Sequence, residues 1–442
     1  MKKNRFRIFV LLFLILIILT YFALTYSFLI WDENAYLGNA RAVFSSSNYT
    51  EDNRFPLIEL IIAVLWLFTG ESVFLARLIM ILFTAATIFL VYKISETHFR
   101  KPFIPTVFFA TNFLVLYWGF RIYPDITGLF FILLSYFLLI KGRIFFSGVS
   151  ASFAFLARFP NAIFGFSVCI FFLFSKKIKK IFIFLAGVFI SLLPWLCFNT
   201  IRYQNPLWDL IDLFKQIGLY TAKEPMFYQL LNMFKILNSF ALPVFIGFFF
   251  IVKHRKKKMN LLILIYFLLY MAYYFFMVNL KFDRYYIGIL PFLYFIGYFW
   301  IESLKSKKIV HLSLIILFML HFIFTLFLLY SEFRNSECIK DGGVIGKAIE
   351  YLKKEGIQNR TIISNSWPWF GYYLNSKVSS TWTNDISLLL QIYGKSYFVI
   401  IERGGLEFNL DILNDNTKVT LIQTFEDRCM NKAYIYRADA LD

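Results

Sequence analysis

Charge is what this chain has least of. Of its 442 residues, 16% are charged, against 59% hydrophobic and 21% aromatic. A soluble globular domain is roughly 45–50% apolar and about 25% charged, so a single soluble domain is excluded. Acids are scarcer than bases, 27 against 45, which leaves a formal net charge of +18. Histidine occurs only at His98, His254, His311 and His321. None of these falls in a segment read below as outside the membrane, which argues against a histidine-built zinc site on that side. Cysteine is equally sparse. Cys169 and Cys197 lie in apolar runs, and Cys338 and Cys429 lie in the C-terminal region, where an extracytoplasmic location would permit a disulfide without establishing proximity. There is no glycine-rich phosphate loop and no defensible internal repeat.

What is present is long apolar runs. Several reach about 20 residues, enough to cross the roughly 30 Å hydrocarbon core as helix. Backbone groups in lipid must bond within their own segment, so the runs should be helical. We expect eleven spans, near 8–30, 72–93, 103–120, 124–140, 144–158, 160–174, 181–200, 230–252, 260–279, 284–301 and 309–331. Lysine and arginine cluster at "MKKNRFR", "FRK" (99–101), "KGR" (141–143), "SKKIKK" (175–180), "KHRKKK" (253–258) and "LKSKK" (304–308). Alternate gaps carry them, which is the positive-inside pattern. That pattern accounts for the basic charge without nucleic acid, and it puts the N-terminus in the cytoplasm and the C-terminus outside a plasma membrane. The first run has no small-x-small cleavage site and exceeds a signal-peptide core, so it reads as a retained span.

The expected fold class is thus a polytopic α-helical membrane protein with a small C-terminal extracytoplasmic α/β domain. The membrane part covers 1–331, with outside loops at 31–71 and 201–229, and the soluble domain covers 332–442. In the first loop, "NAYLGNARAVF" (34–44) has apolar residues at helical spacing and reads as an amphipathic helix on the membrane surface. "FPLIELIIAVLWLFTG" (55–70) is too short to span and reads as interfacial or re-entrant. From 332 onward, 344–356 and 384–394 read as helices, and 360–365, 396–402, 418–425 and 432–438 as strands. "NYT" (48–50) and "NRT" (359–361) are sequons on outside segments.

Arginine, unlike lysine, gathers on the outside: Arg41, Arg54, Arg77, Arg121, Arg158, Arg202 and Arg284. Guanidinium is the better fork for a pair of phosphate oxygens. For each arginine alone, snorkelling or pairing with a nearby acid is the favoured reading; the set points to an anionic ligand at the outer face. The acids there are Asp32, Glu33, Glu59, Asp125, Asp209, Asp212, Glu224 and Asp283. Asp125, and Asp32 before helix 34–44, both have helix capping as their plain alternative. A divalent cation, Mg or Mn, at Asp32 and Glu33 stays open, with no spacing that demands it.

"WDENAYLGNAR" (31–41) followed by "NRFPLIELIIAVLWLFTGESVFLARL" (53–78) resembles the first outside loop of GT-C glycosyltransferases that use polyprenyl-phosphate sugars, of the protein O-mannosyltransferase-like and lipid A aminoarabinose transferase-like kinds. The shared features are the pair Asp32–Glu33, the Arg54-Phe55-Pro56-Leu57 segment and Arg77 opening the second span. The resemblance continues through "YPDITGLFFILLSYFLL", "FAFLARFPNAIF", "LLPWLCFNTIRYQNPL" and "DRYYIGILPFLYF", over roughly 1–300. Phe55 replaces the first proline of the pattern, Ala35 stands where some relatives carry a basic residue, and the outside histidine of some relatives is absent.

The resemblance implies transfer of a sugar from a polyprenyl (dolichyl) phosphate donor to an acceptor hydroxyl on protein, lipid or glycan at the outer membrane surface. It implies Asp32 as base, with Glu33 second. Arg54, Arg158, Arg202 and Arg284, with Arg41 behind them, then stabilise the departing phosphate, and Asp125 and Tyr285 bind substrate. A transporter or lipid flippase would also carry many spans and intramembrane charges, but this sequence shows no paired halves. A non-catalytic scaffold of glycan assembly is the third reading.

Overall fold

The computed structural model describes residues 2–51, 54–219, 225–253, 258–278, 282–304, 307–336, 342–357, 360–381, 386–402, 410, 413 and 419–438. Glu224, Cys338 and Asn359 of the second sequon lie outside them. Among the described residues, five helices are long and apolar enough to cross a membrane by length and composition: Phe6–Thr25, Val73–His98, Ile178–Tyr203, Phe227–Lys253 and Val310–Arg334. Five shorter apolar helices accompany them: Leu57–Thr69, Pro124–Ile140, Ile144–Ala157, Phe159–Phe174 and Asn260–Phe276. The protein is a multi-pass membrane protein.

The eleven expected runs are not eleven uniform spans. The first is helical only to Thr25. Run 103–120 is two helices, Phe103–Ala110 and Phe113–Trp118. The break has a local cause: Asn112 caps the second helix by accepting the Leu114 N–H at 2.9 Å, and its amide donates to the Ile236 carbonyl at 2.9 Å and the Tyr294 hydroxyl at 2.8 Å. Run 230–252 is interrupted by a 3₁₀ turn at Asn238–Phe240, and run 284–301 opens with one at Asp283–Gly288.

The chain divides into two compact units. One comprises Met1–Tyr21, Asn53–Ile58 and Arg77–Tyr330; the other comprises Phe22–Asp52, Glu59–Ala76 and Ser331–Asp442. In the first, hydroxyls join neighbouring helices. The hydroxyls of Ser135 of Pro124–Ile140 and Ser147 of Ile144–Ala157 lie 2.8 Å apart, and each reaches the other's carbonyl oxygen, at 2.8 and 3.0 Å. Such exchanges satisfy polar groups that would otherwise be stranded in an apolar bundle.

The second unit holds a mixed sheet of β1 Thr361–Ser364, β2 Val378–Ser380, β3 Ser396–Glu402, β4 Val419–Glu426 and β5 Lys432–Ala438, in the order β2-β1-β3-β5-β4. β1 runs parallel to β2 and β3, and β5 pairs antiparallel with β3 and β4. β3 is covered on both faces. Tyr397, Val399 and Ile401 pack with Val344, Ala348 and Leu352 of helix Gly343–Lys354, while Phe398 and Ile400 pack with Leu389 and Leu413. A strand buried on both faces reads as a continuous apolar run, as "YFVII" does. Helix Trp367–Leu374 and the three-residue β2 were not foreseen from the sequence. The first is short and begins "WP", and the second is below the length at which alternation is visible.

The expectation for 34–44 needs correction. The helix runs Trp31–Phe44, and Asp32 through Ala40 are all buried. A membrane-surface helix would keep one face in water; this one has none over that stretch, because helix Trp367–Leu374 and Tyr49 pack on it. The Tyr49 ring lies between two glycines. A Cβ on Gly38 would come 2.6 Å from the ring, and one on Gly371 2.5 Å. Gly38→Val should therefore destabilise this unit by about 1–3 kcal/mol, read as a lowered midpoint in thermal unfolding. Tyr49→Ala in the same chain should recover part of the loss.

Candidate functional site

The helix that carries the acid pair starts directly after an extended Ile30. Glu33 turns back and accepts the Ile30 N–H at 3.0 Å, and the Asn34 amide donates to the Ile30 carbonyl at 3.0 Å. The side-chain cap therefore comes from Glu33, and Asp32 lies inside the first turn rather than before it, because the helix begins three residues earlier than expected. At that position the unpaired N–H groups of the helix favour a carboxylate. Glu33 is fully buried and Asp32 is 9% exposed. Trp31 packs edge-on against Trp367 and Trp369 at 4.9 and 5.2 Å, and the Trp369 indole donates to the Leu29 carbonyl at 2.8 Å. These contacts fix the chain on both sides of the acids.

Further along the same helix, Asn39 donates to the Glu59 carboxylate at 2.6 Å and to the Glu51 carbonyl at 2.8 Å. Arg41 forks onto Glu71, with Nε and Nη2 at 2.9 and 2.5 Å from its oxygens, and donates through Nη1 to the Tyr372 carbonyl at 2.8 Å. Its guanidinium lies 4.3 Å from the Tyr372 ring centre. Burial alone would lower the Arg41 pKa, but the hydrogen bonds and charge of Glu71 outweigh it and hold it raised. Burial likewise pushes the Glu71 carboxyl up, and Arg41 together with the Tyr372 hydroxyl overcomes this and keeps it below its ordinary 4.5. Pairing with a nearby acid is thus realised at Arg41.

The other unit brings Asp125, Arg158 and Arg284 together around Tyr285. Asp125 follows Pro124 at the start of helix Pro124–Ile140 and is buried. Arg158 stands where helix Ile144–Ala157 ends, and it forms an ion pair with Asp125 Oδ1. The same guanidinium lies 4.1 Å from the Tyr285 ring centre. Arg284 lies 4.4 Å from the ring centre of Tyr123, 5.6 Å from Trp118 and 5.7 Å from Tyr285. The Tyr270 hydroxyl donates to the Tyr285 carbonyl. Two arginines therefore share Tyr285, and the second oxygen of Asp125 has no hydrogen-bond partner among the described residues. Ring faces offset cationic charge without consuming guanidinium N–H groups.

Arg54 is half-buried beside Phe55, which packs into Leu156 and Trp195 and against the rings of Phe155 and Phe159 at 5.3 and 6.5 Å. The phenylalanine that departs from the family pattern thus holds the Arg54 segment against the helix end that carries Arg158. Arg202 is exposed in the last turn of Ile178–Tyr203, 5.2 Å from the Tyr203 ring, where a cation also suits the helix C-terminus. Asp209 accepts the Trp195 indole N–H at 2.7 Å and the Asn199 amide at 3.2 Å. Sequence reading passed over the rings Trp118 and Tyr123 that receive Arg284. The signal was the density of aromatic and basic residues in "YWGFRIYP" (117–124).

A family profile described as dolichyl-phosphate-mannose-protein mannosyltransferase matches residues 53–198. No curated protein matches the chain. Among solved structures, ArnT from Cupriavidus metallidurans in the apo state superposes with a TM-score of 0.70 at 12% identity, covering 96% of this chain and 97% of that one. ArnT bound to undecaprenyl phosphate gives 0.69 at the same identity and coverage. This chain has the ArnT-type GT-C fold. The likeness extends more loosely to the oligosaccharyltransferase of Archaeoglobus fulgidus solved with zinc and sulfate, at a TM-score of 0.53, 12% identity, and coverage of 88% of this chain and 67% of that one. At such identity the GT-C fold is what is shared.

The Arg41–Glu71 contact generates a pH dependence. A carboxyl lowered on folding adds stability above its ordinary pKa, and that stability is lost as pH falls from about 4.5 through the lower folded value. The unfolding midpoint of the wild type should drop more steeply across that window than that of Glu71→Gln, measured by thermal unfolding between pH 6 and 3.

Proposed function

We propose that the protein is a membrane glycosyltransferase that moves a sugar from a polyprenyl (dolichyl) phosphate donor to an acceptor hydroxyl at the outer membrane face. The observation that carries this reading is the cationic cluster of Arg158 and Arg284 on Tyr285, on a fold shared with a protein solved with undecaprenyl phosphate bound. The family profile over 53–198 supports it.

The reaction follows from the residue types. The acceptor oxygen attacks the anomeric carbon, the bond from that carbon to the phosphate oxygen breaks, and the lipid phosphate leaves with the electron pair. Phosphate needs no proton to depart; it needs cationic stabilisation of the charge that develops. Arg158 and Arg284 take that role, with Arg54 and Arg202 as further phosphate contacts, Arg41 ordering the helix of the acids, and Asp125 and Tyr285 holding the arginines and substrate. The acceptor proton passes to a carboxylate, with Asp32 first and Glu33 second, since Glu33 already caps its helix. A single displacement inverts the anomeric centre. In this reading the N-terminus is cytoplasmic, loops 31–71 and 201–229 and the domain 332–442 are extracytoplasmic, and the acceptor is a protein, lipid or glycan.

Asp32→Asn should lower transfer by at least about a hundredfold while leaving the thermal unfolding midpoint near wild type, assayed as consumption of polyprenyl-phosphate sugar in purified membranes. Near-intact transfer would remove Asp32 as base, and an absence of donor consumption by the wild type would favour a transporter or scaffold. Arg284→Ala should weaken donor binding by roughly 2–5 kcal/mol, the range seen when a buried charge pair loses one partner; unchanged donor affinity would take Arg284 out of the site.

A further inference from the structure

The unit that contains the sheet carries a second concentration of positive charge, which the transferase reading does not use. A cleft of about 550 Å³ is lined by Asn48, Lys353, Arg360, Tyr373, Asn375 and Lys377, among others, and no acid among the described residues lines it. Arg360 precedes β1 and Lys377 precedes β2. The two strands are parallel neighbours, joined at this end by the Ile362 N–H donating to the Lys377 carbonyl at 2.9 Å. Strand pairing therefore forces two cations to one edge of the sheet. Lys353, in the last turn of helix Gly343–Lys354, brings a third.

Each cation has a plainer role to be weighed. Lys353 suits the C-terminus of its own helix, and Lys377 is exposed. Arg360 is not explained so simply. It is half-buried, its guanidinium lies 5.4 Å from the Tyr397 ring centre, and its Nη1 is buried with no hydrogen-bond partner among the described residues. A buried guanidinium N–H without an acceptor is costly, so the cleft presents an unused donor where three positive charges meet. The neutral side of the cleft is tied together by hydrogen bonds. The Asn375 side-chain oxygen accepts the Asn48 N–H at 3.0 Å and the Ser47 hydroxyl at 3.1 Å, and the Asn48 amide donates to the Asn375 carbonyl at 3.0 Å. Parallel sheets usually bind ligands at the opposite, carboxyl ends of their strands. Here the Asn365 amide fills that position, donating to the Ile401 carbonyl at 2.8 Å and accepting its N–H at 3.0 Å.

We propose that this cleft is a phosphate-binding site, with Arg360 as the fork and Lys353 and Lys377 as supporting charges. It takes the phosphoryl group of a lipid headgroup or of a soluble phosphate. It is independent of donor chemistry and would stand if the transferase reading failed.

The test is hydrogen–deuterium exchange on the full-length protein at low ionic strength, following peptides that cover 343–357 and 371–380. In nanodiscs of phosphatidylcholine alone, inorganic phosphate should slow exchange in both peptides saturably. In Arg360→Gln the half-saturating concentration should rise at least about tenfold, the scale of one charge-assisted contact, with Lys377→Gln severalfold weaker and Arg360→Lys intermediate. Nanodiscs containing phosphatidylglycerol separate the sources. Protection without added phosphate identifies a lipid headgroup, and protection only on adding phosphate identifies a soluble one. No protection in either disc, or equal protection in wild type and Arg360→Gln, overturns the site. Thermal unfolding of Arg360→Gln at the wild-type midpoint excludes a simple loss of fold.

Discussion

In hydrocarbon a backbone amide has no water to bond, and every break in a helix must be satisfied by protein. The irregular points of this chain lie where such partners exist. The gap between Phe103–Ala110 and Phe113–Trp118 is closed by the Asn112 side chain, which serves three partners at once. Asp125 follows a proline whose missing N–H is not needed at a helix start. Arg158 occupies the extended residue where Ile144–Ala157 stops. Asp125 and Arg158 thus sit at helix ends, where irregular backbone is already satisfied by protein.

The cluster on Tyr285 shows how positive charge is kept available in such a setting. Asp125 pairs with Arg158, and aromatic faces lie against both arginines. Ring faces attract a cation without accepting its N–H groups in the plane of the guanidinium, which suits a site for a ligand that brings its own negative charge. Arg41 makes the contrast. Forked onto Glu71 and seated on Tyr372, it is spent on holding three segments together.

The acid-bearing helix gains its order from residues far away in sequence. Trp31 sits against Trp367 and Trp369, and the Tyr49 ring separates Gly38 from Gly371. Segments 22–52 and 331–442 belong to one compact unit, so the C-terminal region contributes to the helix of Asp32 as well as to its own sheet. Cys429 is disulfide-bonded, while Cys338, the partner considered for it from sequence, lies outside the described residues.

Sequence alone determined the class of this protein and much of its parts list. Apolar run length dictates helices in a bilayer, and the β-rich alternation after 360 marks strands, because both signals are local and periodic. It also singled out Asp125, Arg158, Arg284 and Tyr285, since the residue types suited to an anion are few in an apolar chain. Three things were decided only by tertiary structure. A helix with apolar spacing on a presumed surface became buried from Asp32 to Ala40, because distant aromatic residues cover the face that local pattern assigns to water. Phe55, a departure from the family pattern, became the packing anchor beside Arg158. Arg360 and Lys377, seventeen residues apart, came to one cleft because parallel strand pairing, which no local window encodes, aligns their ends.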